Sequence, residues 1–329
     1  MIEVQALCKS FAIQERSGNF VKDFFSPNYY TKEAVKNLSF NIDEGEIVGY
    51  IGKNGAGKST TIKMLSGILY PTSGQVVVNG VIPYQDRVQN AKNMGVVFGQ
   101  RTQLWWDIPI GDTFKLLKEM YRIPDETYQE TYGMLNEILN LEALADYAVR
   151  QLSLGQRMRA DLACAMIHRP KVLFLDEPTI GLDIVMKRQI RAFIKEINQL
   201  NQTTILLTTH DMHDIERLCH RIIIIDQGQL FFDGAKQKLY TEYDKYKILR
   251  ITTDQTLALA HDFKVGLLKE AVIDVQEGNE FCRILFDSEK MLPPRLIEHI
   301  QKQFSVEYEA MSIEKMNIEE ITGMILSSA

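Results

Sequence analysis

The chain has 329 residues, 45% hydrophobic and 24% charged, with 37 Lys and Arg against 43 Asp and Glu for a net charge of -6. Such a composition builds a globular protein with core enough for one large or two ordinary domains, and its acidic balance argues against a nucleic-acid partner. Its apolar runs fall far short of the roughly 20 residues that cross a bilayer, the N-terminus lacks a charged-then-apolar signal pattern, and Cys8, Cys164, Cys219 and Cys282 have no metal or disulfide spacing, so a cytoplasmic location is expected.

In chain order, "AVKNLSFNI", "EIVGYIG", "STTIKMLSGIL", "VLFLD", a helix from about 184, "TTILLTTH" and "RIIIIDQG" alternate short β-branched runs with helical patterns. This alternation predicts an α/β domain with a mostly parallel sheet buried on both faces. From about 105 to 168 the pattern is helical, in "GDTFKLLKEMYRI", "YGMLNEILNLEALADY" and "GQRMRADLACAMIH". After Gly234 the register changes to "YKILRITT", "AVIDVQEGNEFCRILFD", "PRLIEHIQKQF" and "SVEYEAMSIEKMNIEEITGMIL". Strands joined at a Glu-Gly-Asn turn, with two helices, predict a separate small α+β domain over 235–329, following a first domain over 1–234.

The segment "GKNGAGKST", residues Gly52, Lys53, Asn54, Gly55, Ala56, Gly57, Lys58, Ser59 and Thr60, fits the phosphate-loop pattern between a strand and a helix. Its glycines permit backbone conformations closed to residues with a Cβ, so successive N–H groups converge on phosphate at the positive end of a helix. Lys58 supplies a point charge for the β and γ phosphates, and Ser59 a hydroxyl ligand for Mg2+.

In "VLFLDEPT" an apolar strand delivers Asp176 and Glu177 to the carboxyl end of the sheet, where open α/β sheets bind ligands. Asp176 is placed to hold Mg2+ through water, and Glu177 to orient and deprotonate the water that attacks the γ phosphate. A neighbouring strand brings His210 to the same edge, where it can donate to the γ phosphate. A further strand, "GVVFGQ", ends in Gln100, which can touch both metal and water; Gln103 is close enough to compete for that role.

In this order, "GKNGAGKST", Gln100, "LSLGQ", "VLFLDEPT", "GLD" at 181 and His210 resemble the ATP-binding cassette (ABC) ATPases over about the first 234 residues. A phosphate loop alone would also admit kinases or GTPases. The resemblance implies a P-loop NTPase cassette with a RecA-like, mostly parallel sheet, an antiparallel β part and a helical subdomain. It also implies two cassettes paired head to tail around two ATP molecules with Mg2+. Ser153, Gly155, Gln156 and Asp183 would then be donated to the nucleotide of the partner cassette. The sequence departs from the family's LSGGQ-type segment in having Leu154 where that pattern has glycine. An aromatic residue near the N-terminus stacks on adenine in the family, and Phe11 is the first candidate here, with Tyr29 and Tyr30 behind it.

The stretches "GYIGKNGAGKSTTIKMLSGILYPTSG", "DEPTIGLD" and "LTTHDMHDIERLC" are similar to those of bacterial exporters of drugs, lipids and polysaccharides, whose cassettes drive a separate membrane permease from its cytoplasmic face. In that family the groove for a permease helix lies beside the segment after the glutamine. Here that segment is "QLWWDIP", with both tryptophans of the chain. Adjacent side chains diverge, so at least one of Trp105 and Trp106 is expected near the surface. Residues 12–33 are expected to form a surface hairpin packed by its own phenylalanines.

Overall fold

The computed structural model describes residues 1–15, 28–99, 102–253, 256–265, 270–304 and 306–327. Chain contacts divide it into two compact units, Met1–Ala235 and Lys236–Ala329.

In the first unit, strands β1 (Ile2–Glu15), β2 (Asn28–Ile42) and β4 (Ser73–Val78) form an antiparallel sheet in the order β2-β1-β4. A second, six-stranded sheet runs β5 (Met94–Phe98), β6 (Val172–Asp176), β7 (Thr204–Thr208), β3 (Ile47–Ile51), β8 (Arg221–Asp226), β9 (Gln229–Ala235). All its pairs are parallel except β8 with β9. The central strands are apolar throughout because both faces are covered: every residue of β3 and β7 is buried, and β6 is buried up to Asp176. One core joins the two sheets, with Leu7, Val35, Leu38 and Phe40 packed against Tyr50, Ile62, Phe174 and Ile223.

Helix α1 (Lys58–Leu65) follows β3, and α2 (Arg87–Asn93) precedes β5. The helical stretch is α3 (Ile110–Tyr121), α4 (Asp125–Leu139) and α5 (Leu154–Met166). The first two end in left-handed residues, Arg122 (φ 54°) and Asn140 (φ 50°). Helix α6 (Ile184–Asn201) buries Ile190, Phe193, Ile194 and Ile197, an i, i+3, i+4, i+7 stripe that seats it on the unit's core. It is followed, after β7, by α7 (Met212–Leu218).

Strands β1 and β2 make a long hairpin whose pairing runs out to Glu15 opposite Asn28. The phenylalanines expected to pack its tip fall outside the described residues.

The second unit opens with α8 (Lys236–Tyr243) and continues β10 (Tyr246–Thr252), α9 (Thr256–Val265), β11 (Val272–Glu277), β12 (Phe281–Asp287), α10 (Pro293–Phe304), β13 (Met311–Lys315) and α11 (Ile318–Ser327). Its sheet is antiparallel, in the order β11-β12-β10-β13, a βαββαβ arrangement. Leu249, Ile251, Ile284 and Phe286 from the sheet pack with Leu296 and Ile300 from α10. Two helices were expected here, and the described residues contain four. Helix α8 buries only Leu239, so no apolar stripe marks it in the sequence.

Candidate active site

The parallel strands align their carboxyl ends. In register, Phe98 stands beside Asp176 and Asp176 beside Thr208, while β3 runs next to β7 and delivers the phosphate loop. A Cβ on Gly52 would lie 2.3 Å from the Ile225 carbonyl oxygen, and one on Gly57 (φ 106°) 2.5 Å from that of Ala34, so glycine is required at both. Gly57 is the N-cap of α1, with no side-chain cap and no acidic residue in the first turn. The positive helix end thus keeps its attraction for an anion. Tyr50 Oη donates to Thr61 Oγ1 (3.1 Å), which donates to the Gly57 carbonyl (3.1 Å), tying the helix start to β3.

Lys58 is buried, and its Nζ donates to the carbonyls of Gly52 (2.6 Å) and Lys53 (3.1 Å). Burial lowers its pKa, while the charges of Glu177 and then Asp176 act in the opposite direction. The lysine therefore shares one electrostatic site with both carboxylates. Ser59 is exposed beside it, and Lys53, Asn54 and Gly55 form the exposed outer curve of the loop. Ala56 is buried and Thr60 half-buried.

Thr208 holds both acidic residues at once. Its hydroxyl donates to Asp176 Oδ1 (2.5 Å) and accepts from the Glu177 N–H (3.2 Å), which also reaches the Thr208 carbonyl (3.0 Å). Glu177 adopts φ 58°, a left-handed backbone uncommon for a residue with a side chain. From there its Oε1 lies 2.9 Å from His210 Nε2, so the two residues read separately in the sequence form a direct pair.

Gln100 lies outside the described residues. Its neighbour Gly99 donates its N–H to the Asp176 carbonyl (2.7 Å). Gln103 is committed elsewhere, its amide donating to the Val96 carbonyl (2.7 Å) and its backbone N–H to Asp161 Oδ1 (3.1 Å). Phe11 pairs in register with Lys32, with the Lys9 ammonium 5.2 Å from its ring. The hairpin passes the phosphate loop where Gly57 meets Ala34, and Tyr29 and Tyr30 lie farther out along it than Phe11.

Ser153 and Asp183 cap α5 and α6. Ser153 Oγ accepts from the Gln156 N–H (3.3 Å) while Gln156 Oε1 accepts from the Ser153 N–H (2.8 Å), a capping box. The serine hydroxyl and the Gln156 amide both retain donors. The two segments touch: a Cβ on Gly155 would come within 3.0 Å of Met186, and one on Gly181 within 3.0 Å of Leu154 Cδ2. Leu154, the departure from the family pattern, thus occupies space beside a glycine that has no side chain.

A second concavity, of about 330 Å3, runs between the β5 end and helices α3 and α5, lined by Ile68, Trp105, Leu117, Met120, Tyr121 and His168 among others. Both tryptophans are exposed, Trp105 by 40% and Trp106 by 49%, and the Arg157 guanidinium sits 4.7 Å from the Trp106 ring. His168 stacks on Tyr121 at 4.1 Å, and burial pushes its pKa down to about 4.

Sequence reasoning missed Thr208, which bonds to both acidic residues but is hidden in an ordinary strand ending.

The family described as ABC transporter is matched by residues 35–180. The linearmycin resistance ATP-binding protein LnrL of Bacillus subtilis is 31% identical over 224 residues, covering 68% of this chain and 71% of that protein. The methionine import ATP-binding protein MetN 2 of Enterococcus faecalis is 28% identical over 308 residues, covering 91% and 86%. Among solved structures, a dimeric ATP-binding cassette in a post-hydrolysis state bound to ADP and Pi superposes with a TM-score of 0.60 at 25% identity, covering 71% of this chain and 98% of that one.

Proposed function

The chain belongs to the ATP-binding proteins of ABC transporters, ATPases that power transport, and from that premise we propose that it works as a head-to-tail pair of cassettes driving a separate export permease. The observation that carries the hydrolytic part is the cluster of Lys58, Asp176, Glu177 and His210 at one sheet edge, with Glu177 Oε1 2.9 Å from His210 Nε2.

In this reading the amides of the phosphate loop, through Ser59 and Thr60, wrap the phosphates, and Phe11 stacks on adenine. Ser59, Gln100 and Asp176 would hold Mg2+, which would supply positive charge against the phosphates. The oxygen donors of Ser59 and Asp176 suit that hard cation. Glu177 takes the proton of the attacking water as the γ phosphorus leaves its bridging oxygen, and His210, paired to Glu177, donates to the γ phosphate. Ser153, Gly155, Gln156 and Asp183 serve the nucleotide of the partner cassette. Their support is their position at two touching helix starts, with Ser153 and Asp183 exposed and Gly155 and Gln156 half-buried.

The groove at Trp105 and Met120 is the docking place for a cytoplasmic helix of the permease, lined mostly by apolar side chains and carrying the exposed Trp105 ring, with Trp106 next to it in the chain. Among the described residues no helix is long and apolar enough to cross a membrane, in keeping with a subunit peripheral on the cytoplasmic face. The direction of transport rests on the sequence resemblance to drug and lipid exporters and on the relative that confers linearmycin resistance. Import is the second reading, favoured by the match over 91% of the chain to a methionine import protein.

Glu177→Gln tests the site. ATP binding should persist while turnover falls by about 100-fold or more, the scale of a lost general base, and a stable dimer should accumulate. Near-normal turnover would move the base to another residue.

A further inference from the structure

Asp214 is an acidic residue, fully buried and outside the nucleotide loops. Its carboxylate takes three donors: Arg191 Nη1 on Oδ1 (2.5 Å), Thr179 Oγ1 (2.5 Å) and Thr209 Oγ1 (3.1 Å) on Oδ2. Thr179 lies just beyond Glu177, and Thr209 immediately precedes His210. On the other side of the histidine, the Asp211 N–H donates to Thr209 Oγ1 (2.9 Å) and Asp211 Oδ2 accepts from Lys187 Nζ (2.7 Å). Both cations project from α6 at i, i+4 spacing, which puts them on one face.

We propose that Arg191 and Asp214 are positioning residues for hydrolysis, forming a buried clamp that holds His210 against Glu177. The inference rests on the roles given above to those two residues. The His210 side chain is 45% exposed, too open for packing to select its rotamer. Its alignment must come from the backbone on either side, and there Thr209 and Asp211 are both tied down. Stability alone is a weak reason for the Arg191–Asp214 pair, because apolar residues of similar volume commonly serve as well as a buried ion pair. The clamp's geometry supplies a better reason. Asp214 joins the turn after Glu177 to the loop of His210, and Arg191 fastens that junction to α6. The same helix begins at Asp183, so a contact made there by a partner cassette acts on a rod attached to both sides of the histidine.

The test compares steady-state ATP hydrolysis by full-length Arg191→Met and Asp214→Asn with His210→Ala, Glu177→Gln and the combined Asp214→Asn/His210→Ala chain. The clamp predicts a fall in kcat of about ten- to 100-fold for each clamp variant, the cost of displacing a catalytic group by about 1 Å, with KM for ATP within about two-fold. In the His210→Ala background, Asp214→Asn should cost nothing further, because there is no imidazole left to position. Unchanged kcat in the clamp variants, or losses that multiply in the combined chain, would overturn the clamp while leaving the hydrolytic reading intact. Wild-type turnover in Glu177→Gln and His210→Ala would overturn both. Thr209→Val keeps the Arg191–Asp214 pair while removing both bonds of the Thr209 hydroxyl, to Asp214 and from the Asp211 N–H, so it carries the same expectation if Asp214→Asn fails to fold.

Discussion

Asp161, on α5 and 8% exposed, accepts from Thr102 Oγ1 (3.0 Å) and the Gln103 N–H (3.1 Å). Desolvation nevertheless pushes its pKa up to about 6 from 3.8, the hydrogen bonds and Arg157 opposing. The folded state therefore keeps a proton between about pH 4 and 6 that the unfolded chain has shed, and stability falls as pH rises through that window. At about 1.4 kcal/mol per unit, the cost above pH 6 is about 2–3 kcal/mol. Asn offers the same acceptor without the charge. Asp161→Asn should raise the unfolding free energy by about 2 kcal/mol at pH 8 and leave it unchanged at pH 4, as read by denaturant titration at both pH values. A gain equal at both would show that the charge is not the cause. At this scale, residues whose chemistry is local were legible in the sequence: the glycines and Lys58 of the phosphate loop, and Asp176 and Glu177 at the end of an apolar strand. Asp161 and Asp214 were not, because an acidic residue on a helix is marked only by what it is buried against.

The helical elements carry two surfaces each. Helix α5 begins at the Ser153 capping box and farther along holds the 102–103 segment through Asp161. Helix α6 begins at Asp183 and carries Lys187 and Arg191 toward the His210 loop. The heptad-like stripe of α6 was readable, whereas its polar face gave no sign of being partly buried. Between β5 and α3, Trp105 and Trp106 are both exposed, beyond the single exposed ring that divergence of neighbouring side chains demands. Trp105→Ala and Trp106→Ala should each leave ATPase activity of the isolated subunit within about two-fold while reducing substrate transport by the complex with its permease about ten-fold, the effect of losing one interface anchor. Normal transport with both changes would remove the groove from the coupling path.

At the scale of the whole molecule, the Ser153, Gln156 and Asp183 side chains hydrogen-bond at the starts of their own helices. Ser153→Asp is a discriminating change, since aspartate caps a helix as well as serine but sets a negative charge where the reading above places phosphate. The variant should fold and bind ATP with affinity within about two-fold of the parent, yet lose more than about 90% of turnover at concentrations where the pair forms. Full activity would show that the segment serves only its own helix.

Motif content and hydrophobic period, both written within a few neighbouring residues, were enough for the sequence by itself to determine the fold class, with its mostly parallel sheet, and the family. Tertiary structure decided what depends on separate segments meeting: Thr208 bridging Asp176 and Glu177, His210 reaching Glu177, Leu154 filling the space at Gly181, and Asp214 collecting donors from two loops and a helix. Apart from the Thr209–Asp214 bond, each of these unites residues tens of positions apart through a hydrogen bond or van der Waals contact only a few ångströms long. Local periodicity cannot encode such a meeting, since it is set by strand order and by where α6 meets the His210 loop and α7.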